Sequence, residues 1–340
     1  MNFGGTIRIN KFGLCIIIGA CILLFYYLNS ESKSAADDIK HEQGNTINLK
    51  RLLIAAIEVA EKGGKEVHDI RQQDDVKERS KGKLQGGVND PLTLADDKSH
   101  CIMYYSLKQN FPKLKVISEE KSEDCQEVPP LDFDLQVAKD VIEYPDDNVS
   151  VDDITVWIDP LDATKEYTEN LLKYVTTMVC VAVKGKPVIG VIHKPFDEKL
   201  STYWAWVEKG LSRNLNLDVP VESKLKIIVS MSHAGEVANI TEKAFDKSVE
   251  IVQAAGAGYK ALEVVERRAA AYLHVTNIKK WDVCAGNAIV NAAKGKMTTL
   301  KGDELDYSND KDVVNRDGLL ATRDKHEWFL GRLTTVMSKA

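Results

Sequence analysis

Asp159-Pro160-Leu161-Asp162-Ala163-Thr164 places two carboxylates and a hydroxyl within six residues, and a further carboxylate, Asp282, follows Trp281 far downstream. Carboxylates crowded at one turn repel each other unless a cation lies between them. Hard oxygen ligands at that spacing favour Mg²⁺ over zinc. The competing reading is a solvated Asx-turn, because Asp-Pro opens many turns. Two more acidic clusters, Asp90/Asp96 and Glu119-Glu120, stand at the ends of predicted elements. Any one of the four could be a cap or a solvated charge, and Asp96 and Asp282 in particular suit helix N-caps. Jointly they could converge on two or more metal ions, an arrangement suited to in-line phosphoryl displacement.

The elements that would position them can be read from periodicity. The short, β-branched run 154–158 predicts a buried strand, with 159–164 as the turn at its carboxyl end, where open α/β sheets place ligands. Residues 114–118 predict a strand that stops at Glu119. Helical spacing runs over 47–73 with a weak point at Gly63-Gly64, and another helix is expected over 97–109. Residues 79–93 read as a polar loop. Strands are expected at 175–183 and 187–192, paired through Lys184-Gly185-Lys186, and at 202–207, 225–230, 249–253 and 272–275. Helices are expected from Asp282 to Ala293 and over 323–337. Residues 121–153 hold 11 acids and two lysines and read as a surface insertion with no derivable role. Few clean βαβ alternations point to an α/β (α+β) sandwich of alternating helix and sheet layers.

The amino-terminal region has a different character. Residues 12–28 are uncharged and almost wholly apolar, and at about 1.5 Å per residue they span roughly 25 Å as a helix. Ser34-Ala35-Ala36 would suit a signal-peptidase site, but the length of the apolar run and Tyr26-Tyr27 at its edge favour an uncleaved signal anchor. Arg8 and Lys11 precede the span, so 1–11 is expected in the cytoplasm, 29–46 as a luminal stem and 47–340 as a luminal catalytic domain. A slightly short span suits early secretory membranes. Asn148-Val149-Ser150 and Asn239-Ile240-Thr241 are sequons on that side, making Asn148 and Asn239 candidate glycosylation sites. Cys101 and Cys125 could form a disulfide, whereas Cys180 and Cys284 read as buried thiols. The net charge of −6 argues against binding nucleic-acid polymers.

The ordered set Asp90-Pro-Leu-Thr-Leu-Ala-Asp96, Glu119-Glu120, Asp159-Pro-Leu-Asp-Ala-Thr164 and Trp281-Asp282-Val-Cys-Ala-Gly286 resembles the lithium-sensitive, Mg²⁺-dependent phosphatases related to inositol monophosphatase. The resemblance covers the chain beyond the stem. Its DPLDAT form is more similar to the 3′(2′),5′-bisphosphate nucleotidase branch than to the DPIDGT form of the inositol monophosphatases. It implies a phosphoric monoester hydrolase that converts 3′-phosphoadenosine 5′-phosphate (PAP) to AMP and phosphate. Combined with the anchor, it implies a type II protein of the Golgi membrane. The implied metal ligands are Glu119, Asp159, the Leu161 carbonyl, Asp162 and Asp282, for two or three Mg²⁺ ions. Thr164 and Asp96 would orient and help deprotonate the attacking water, and N–H groups of Ala163 and Thr164 would hold phosphate oxygens. Ser230-Met231-Ser232-His233 and Gly256-Ala257-Gly258-Tyr259-Lys260 resemble nucleotide-contacting elements of that branch. From these, Ser230, His233, Gly256 and Lys260 are expected on the substrate together with Asp282, Lys260 near its 5′-phosphate. Homodimerisation is common in such relatives and is expected here. The alternatives are an inositol-phosphate phosphatase and an inactive nucleotide-binding protein, although every expected acidic position is filled.

Overall fold

A computed structural model describes residues 45–338, apart from 74–75, 84–88, 123–124, 126–127, 134–138, 142, 200, 220–223, 232–233, 246–248 and 309. The anticipated membrane span and nearly all of the stem lie outside the described residues. Among the described residues, no helix is long and apolar enough to cross a membrane. Residues from Asn48 onward form one compact unit.

That unit starts with α1 (Leu49–Gln72), capped by the Asn48 side chain, which accepts from Arg51 N–H. The anticipated weak point does not interrupt it. A Cβ at Gly63 would lie 2.6 Å from Met103 Cγ, and one at Gly64 would lie 2.3 Å from His193 Cδ2. The two glycines thus permit close packing on both neighbours, which offsets their poor helix propensity. Residues 79–93, expected as loop, instead contain a hairpin of β1 (Arg79–Lys83) and β2 (Asn89–Leu92). Helix α2 (Leu94–Asn110) follows and packs along α1.

The first sheet is built from β3 (Lys115–Ser118), β4 (Ile154–Asp162), β5 (Thr176–Val183), β6 (Lys186–His193), β7 (Thr202–Trp206) and the short β8 (Gly210–Leu211). Its order is β8-β7-β6-β5-β4-β3, with only β3 and β4 parallel. The second sheet takes β9 (Leu225–Ser230), β10 (Val249–Ala254), β11 (Ala271–His274), β12 (Lys296–Thr298) and β13 (Leu319–Thr322) in the order β10-β9-β11-β13-β12. The other helices are α3 (Thr164–Thr168), α4 (Ala234–Phe245), α5 (Ala257–Val265), α6 (Lys280–Ala292) and α7 (His326–Met337).

Strand periodicity sorts the layers. In β5, Met178, Cys180 and Ala182 enter the core shared with α5, α6 and the second sheet, while Thr177 on the opposite face donates to the Ala60 carbonyl of α1 at 2.7 Å. In β9, Ile228 faces that central core, whereas Ile227 and Val229 pack outward against Val237, Phe245, Phe329 and Leu333 of α4 and α7. The stack is therefore helix pair, sheet, helix pair, sheet, helix pair, the layered sandwich the pattern implied.

Described residues of the acidic segment 121–153 are held against α1. Glu58 accepts from the N–H groups of Asp132 at 2.8 Å and Phe133 at 3.0 Å, and the Arg51 guanidinium lies 4.7 Å from the Phe133 ring. Cys101 and Cys125 are disulfide-bonded. Cys180 and Cys284 correct the sequence reading, because they form a second disulfide. Strand β5 and helix α6 bring their Cα atoms to 5.6 Å across a separation of 104 residues, a proximity that local patterning does not encode. A cross-link closing so long a loop restricts the unfolded chain strongly. Cys180→Ser/Cys284→Ser is expected to lower stability by about 2–4 kcal/mol, read as a reduced urea midpoint with an intact far-UV spectrum. An unchanged midpoint would contradict this role. Both sequon asparagines, Asn148 and Asn239, are exposed, but Thr241 of the second is buried and bonds the Val237 carbonyl.

His193, at the end of β6, is 4% exposed. Its Nδ1 lies 2.9 Å from Thr202 Oγ1, whose own proton goes to Glu61 Oε1 at 2.6 Å. Burial pushes the imidazole down to about 4. Between the ordinary value of 6.5 and about 4 the unfolded chain therefore holds the extra proton. The contribution is complete above about pH 6.5 and is lost as pH falls through about 4, on the order of 3 kcal/mol in all. His193→Gln should remove that part of the slope, measured as wild type minus variant in urea unfolding at pH 4 to 7.5. Parallel pH profiles would refute it.

Candidate active site

Strand β4 is buried through Leu161 and runs to Asp162 rather than ending at Ile158, with its register against β5 broken between Asp159 and Asp162. Pro160 has no N–H to give to a ladder, and such a bulge is where a strand tolerates it. The DPLD segment is thus an irregular strand end, not a separate turn. Strand β3 lies parallel to β4 with Ser118 beside Ile158, and Glu119 N–H donates to the Ile158 carbonyl at 3.1 Å. That register sets Glu119 next to Asp159. Asp282 comes from the first turn of α6, where its Oδ2 accepts from Lys279 N–H at 3.1 Å.

One carboxylate oxygen from each of Glu119, Asp159 and Asp282 lies within 4.8 Å of the other two. Asp159 is 1% exposed. Burial first, then the charges of Glu119, Asp162 and Asp282, pushes its carboxyl well above the usual range. Burial and Glu119 do the same to Asp282. Three carboxylates crowded around buried Asp159 are unfavourable without enough counter-charge; the Lys81 ammonium offsets only part of it, at Glu119, and the all-oxygen donor set fits a hard divalent cation such as Mg²⁺. These three side chains would hold it, with the Leu161 carbonyl and Asp162 alongside. When bound, the ion would acidify a coordinated water and neutralise charge on a transferred phosphoryl group.

Asp96 and Asp282 are not N-caps. The N-caps are Thr93 and Lys279, and the aspartates sit three residues on, each accepting from its cap residue's N–H. Asp96, 1% exposed, takes Thr93 N–H at 2.7 Å and Thr93 Oγ1 on one oxygen, which leaves its Oδ1 for Thr164 Oγ1 at 3.0 Å. Burial pushes the carboxyl up to about 6, against the pull of the Thr93 hydrogen bonds. The Thr164 hydroxyl also lies 3.1 Å from the Leu161 carbonyl. With one proton it can serve only one acceptor at a time. Donation to Asp96 leaves hydroxyl lone pairs able to accept from a water, and a carboxylate raised above its ordinary range is a better acceptor for that water's proton.

Asp162 belongs to a different pairing. Its Oδ2 accepts from Gly258 N–H at 2.9 Å and Thr176 Oγ1 at 3.2 Å. Gly256, at φ 66°, turns the chain into α5, and a Cβ there would come within 2.5 Å of the Tyr174 carbonyl and 3.2 Å of Asp162 Oδ2. The glycine-rich element thus sits against Asp162. Lys260, expected on the substrate, is 3% exposed and donates to the Gly256 carbonyl at 2.7 Å. Burial lowers its ammonium to about 8, against the pull of Asp162. Its role here is to fix the Gly256 turn and offset Asp162. Ser230 ends β9, half-buried, and His233 lies outside the described residues. Ala163 adopts the left-handed conformation, φ 70°, before the five-residue α3.

Sequence reasoning missed Lys81. Its Nζ lies 2.9 Å from Glu119 Oε1 and also contacts Glu120 Oε1. Burial opposes the charge, but Glu119 and Glu120 hold the ammonium above its usual range. Burial, then Glu119, pushes Glu120 up to about 7. The available signal was the hairpin, whose alternation is hidden by glycines and charges.

A model of the inositol monophosphatase family matches residues 48–337. The chain belongs to that family. Among similar family proteins, the putative inositol monophosphatase 3 of Drosophila pseudoobscura is 46% identical over 97% of this chain and 95% of its own length. The Golgi-resident adenosine 3′,5′-bisphosphate 3′-phosphatase of Mus musculus is 39% identical over 96% of both chains. A solved structure, the extragenic suppressor protein suhB from Bartonella henselae, superposes with a TM-score of 0.60 at 20% identity, over 82% of this chain and 96% of that one. That likeness speaks to the fold of this family member. The family match, the layered sandwich and the acidic cluster agree on one kind of centre, a metal-dependent phosphomonoesterase site.

Proposed function

We propose that this chain is a Mg²⁺-dependent, lithium-sensitive phosphatase that removes the 3′-phosphate of PAP, giving AMP and phosphate, in the Golgi lumen. The observation that carries the chemistry is the Glu119/Asp159/Asp282 cluster with the Thr164–Asp96 pair, which reaches Asp159 through Leu161. The name of the mouse relative and the DPLDAT form of the motif support the nucleotide over an inositol phosphate. In this reading Glu119, Asp159, the Leu161 carbonyl, Asp162 and Asp282 would hold two or three cations. Asp96 takes the water's proton through Thr164, while Ala163 and Thr164 N–H groups hold the phosphoryl oxygens. Ser230, His233, Gly256 and Asp282 border the nucleoside.

Two disulfides within the described residues support an oxidising compartment. The apolar run 12–28 behind Arg8 and Lys11 supports a single-pass type II anchor. Assembly as a homodimer is proposed with it, and a sedimentation mass would check it. The name of the fly relative favours the rival substrate, inositol monophosphate. Phosphate release from PAP and from inositol 1-phosphate, assayed in parallel with and without Mg²⁺ and with added Li⁺, decides between them. PAP turnover that needs Mg²⁺ and falls with Li⁺ is expected; faster turnover of the inositol phosphate would overturn the substrate assignment, and Mg²⁺-independent turnover the mechanism.

A further inference from the structure

A second concavity lies at the far end of α6 from the acidic cluster. It has a volume of about 460 Å³, and its walls include Lys294, Lys296, Arg323, Lys325, Glu327 and Trp328. Asp282 is in the first turn of α6 and Lys294 lies just past its last turn. Twelve residues at about 1.5 Å each separate them by roughly 18 Å, so this concavity is distinct from the catalytic centre.

Its electrostatics run against the rest of the molecule. The chain carries a net charge of −6, yet four of the lining side chains are cations and one is an acid, with Asp324 and Asp218 acting on Arg323 from outside the lining. Glu327 is already paired with Lys296 at 2.7 Å. Arg323 donates to the Leu217 carbonyl at 2.8 Å and the Val265 carbonyl at 3.0 Å, which orients its guanidinium without neutralising it. Lys294 and Lys325 have no acidic partner among the described residues. Like charges gathered in a concavity repel, and an anion between them removes that cost. Trp328 is 43% exposed, with the Arg332 guanidinium 4.7 Å from its ring centroid. A large indole left open beside a cation-lined hollow is a platform for a flat or sugar ring. The hollow is open to solvent, with Lys294, Lys296, Lys325, Glu327 and Trp328 all exposed, so a ligand would lie across it.

We propose that this concavity is a second ligand site, taking a phosphate or sulfate monoester of a small ring-bearing molecule, its oxyanion on Lys294 and Lys325 and its ring on Trp328. Nothing in this assignment depends on the reaction proposed for the acidic cluster.

The test is equilibrium binding to the full chain in EDTA, which denies the acidic cluster its cation. AMP, a 6-sulfated N-acetylglucosamine, adenosine and inorganic phosphate are the probes, followed by tryptophan fluorescence and calorimetry. AMP or the sulfated sugar should bind, and whichever binds more tightly names the source of the oxyanion. Adenosine and inorganic phosphate should each bind at least about tenfold more weakly, because each lacks one half of the ligand. Lys294→Gln/Lys325→Gln should weaken binding by at least about tenfold. Trp328→Phe should remove the fluorescence response. Both variants should keep the wild-type melting temperature and Mg²⁺-dependent activity, which shows that they fold. Failure of both monoesters to bind, binding that the double variant leaves unchanged, or equal affinity for inorganic phosphate would overturn the proposal.

Discussion

Asp159→Asn is expected to reduce Mg²⁺-dependent phosphate release by on the order of 10³-fold or more, while raising the melting temperature in EDTA. The two effects have one cause. Asp159 is buried at the end of β4, with oxygens of Glu119 and Asp282 close by. Without a metal ion, that proximity is repulsive beyond what the Lys81 ammonium at Glu119 offsets, and an amide of the same shape removes one of the charges. Asparagine keeps an oxygen to accept Leu161 N–H, which Asp159 Oδ1 takes at 3.2 Å, so the strand end should hold its shape. With Mg²⁺ present the order reverses. Wild type gains stability from the bound ion, whereas the variant, with one ligand charge fewer, gains less. Phosphate release and calorimetric melting, each with and without Mg²⁺, check both halves. Full activity in the variant, or a lower melting temperature in EDTA, would refute the view that these carboxylates are held together for a cation.

Thr164→Val should lower kcat by about 10²- to 10⁴-fold with little change in KM. The loss falls on kcat because the hydroxyl is needed for the proton rather than for holding the substrate. Valine preserves shape and removes the link between the attacking water and Asp96. Asp96→Asn should cost a similar amount, and the double variant little more than either single one, because residues acting as a unit are not additive. Thr164→Ser keeps the hydroxyl and should retain most of the activity. Additive losses in the double variant, or a change confined to KM, would show that Thr164 and Asp96 act separately.

Much of this was legible in the chain itself. The acidic positions could be named because DPLDAT, Glu119-Glu120 and Trp281-Asp282 place particular residue types at fixed local spacing. Buried β-branched runs such as 154–158 marked their strands by composition alone. The hairpin 79–92 was not legible, since its strands Arg79–Lys83 and Asn89–Leu92 are mostly charged or polar, with little hydrophobic alternation. Lys81 was missed with it, although its charge lies against Glu119. Lys260 was expected on the substrate because Gly256-Ala257-Gly258-Tyr259-Lys260 resembles a nucleotide-contacting element of the nucleotidase branch. The fold instead buries it against the Gly256 carbonyl, near Asp162.

The sequence by itself determined which side chains are present to do chemistry and which segments alternate or wind, because both depend on neighbours a few residues apart. Only the tertiary structure decided which of them meet. Cys180 pairs with Cys284 because β5 faces α6. Glu119, Asp159 and Asp282 share a corner because β3 and β4 run parallel and α6 starts beside their ends. Contacts across a hundred residues are set by sheet register and layer packing, which leave no local signature in the chain.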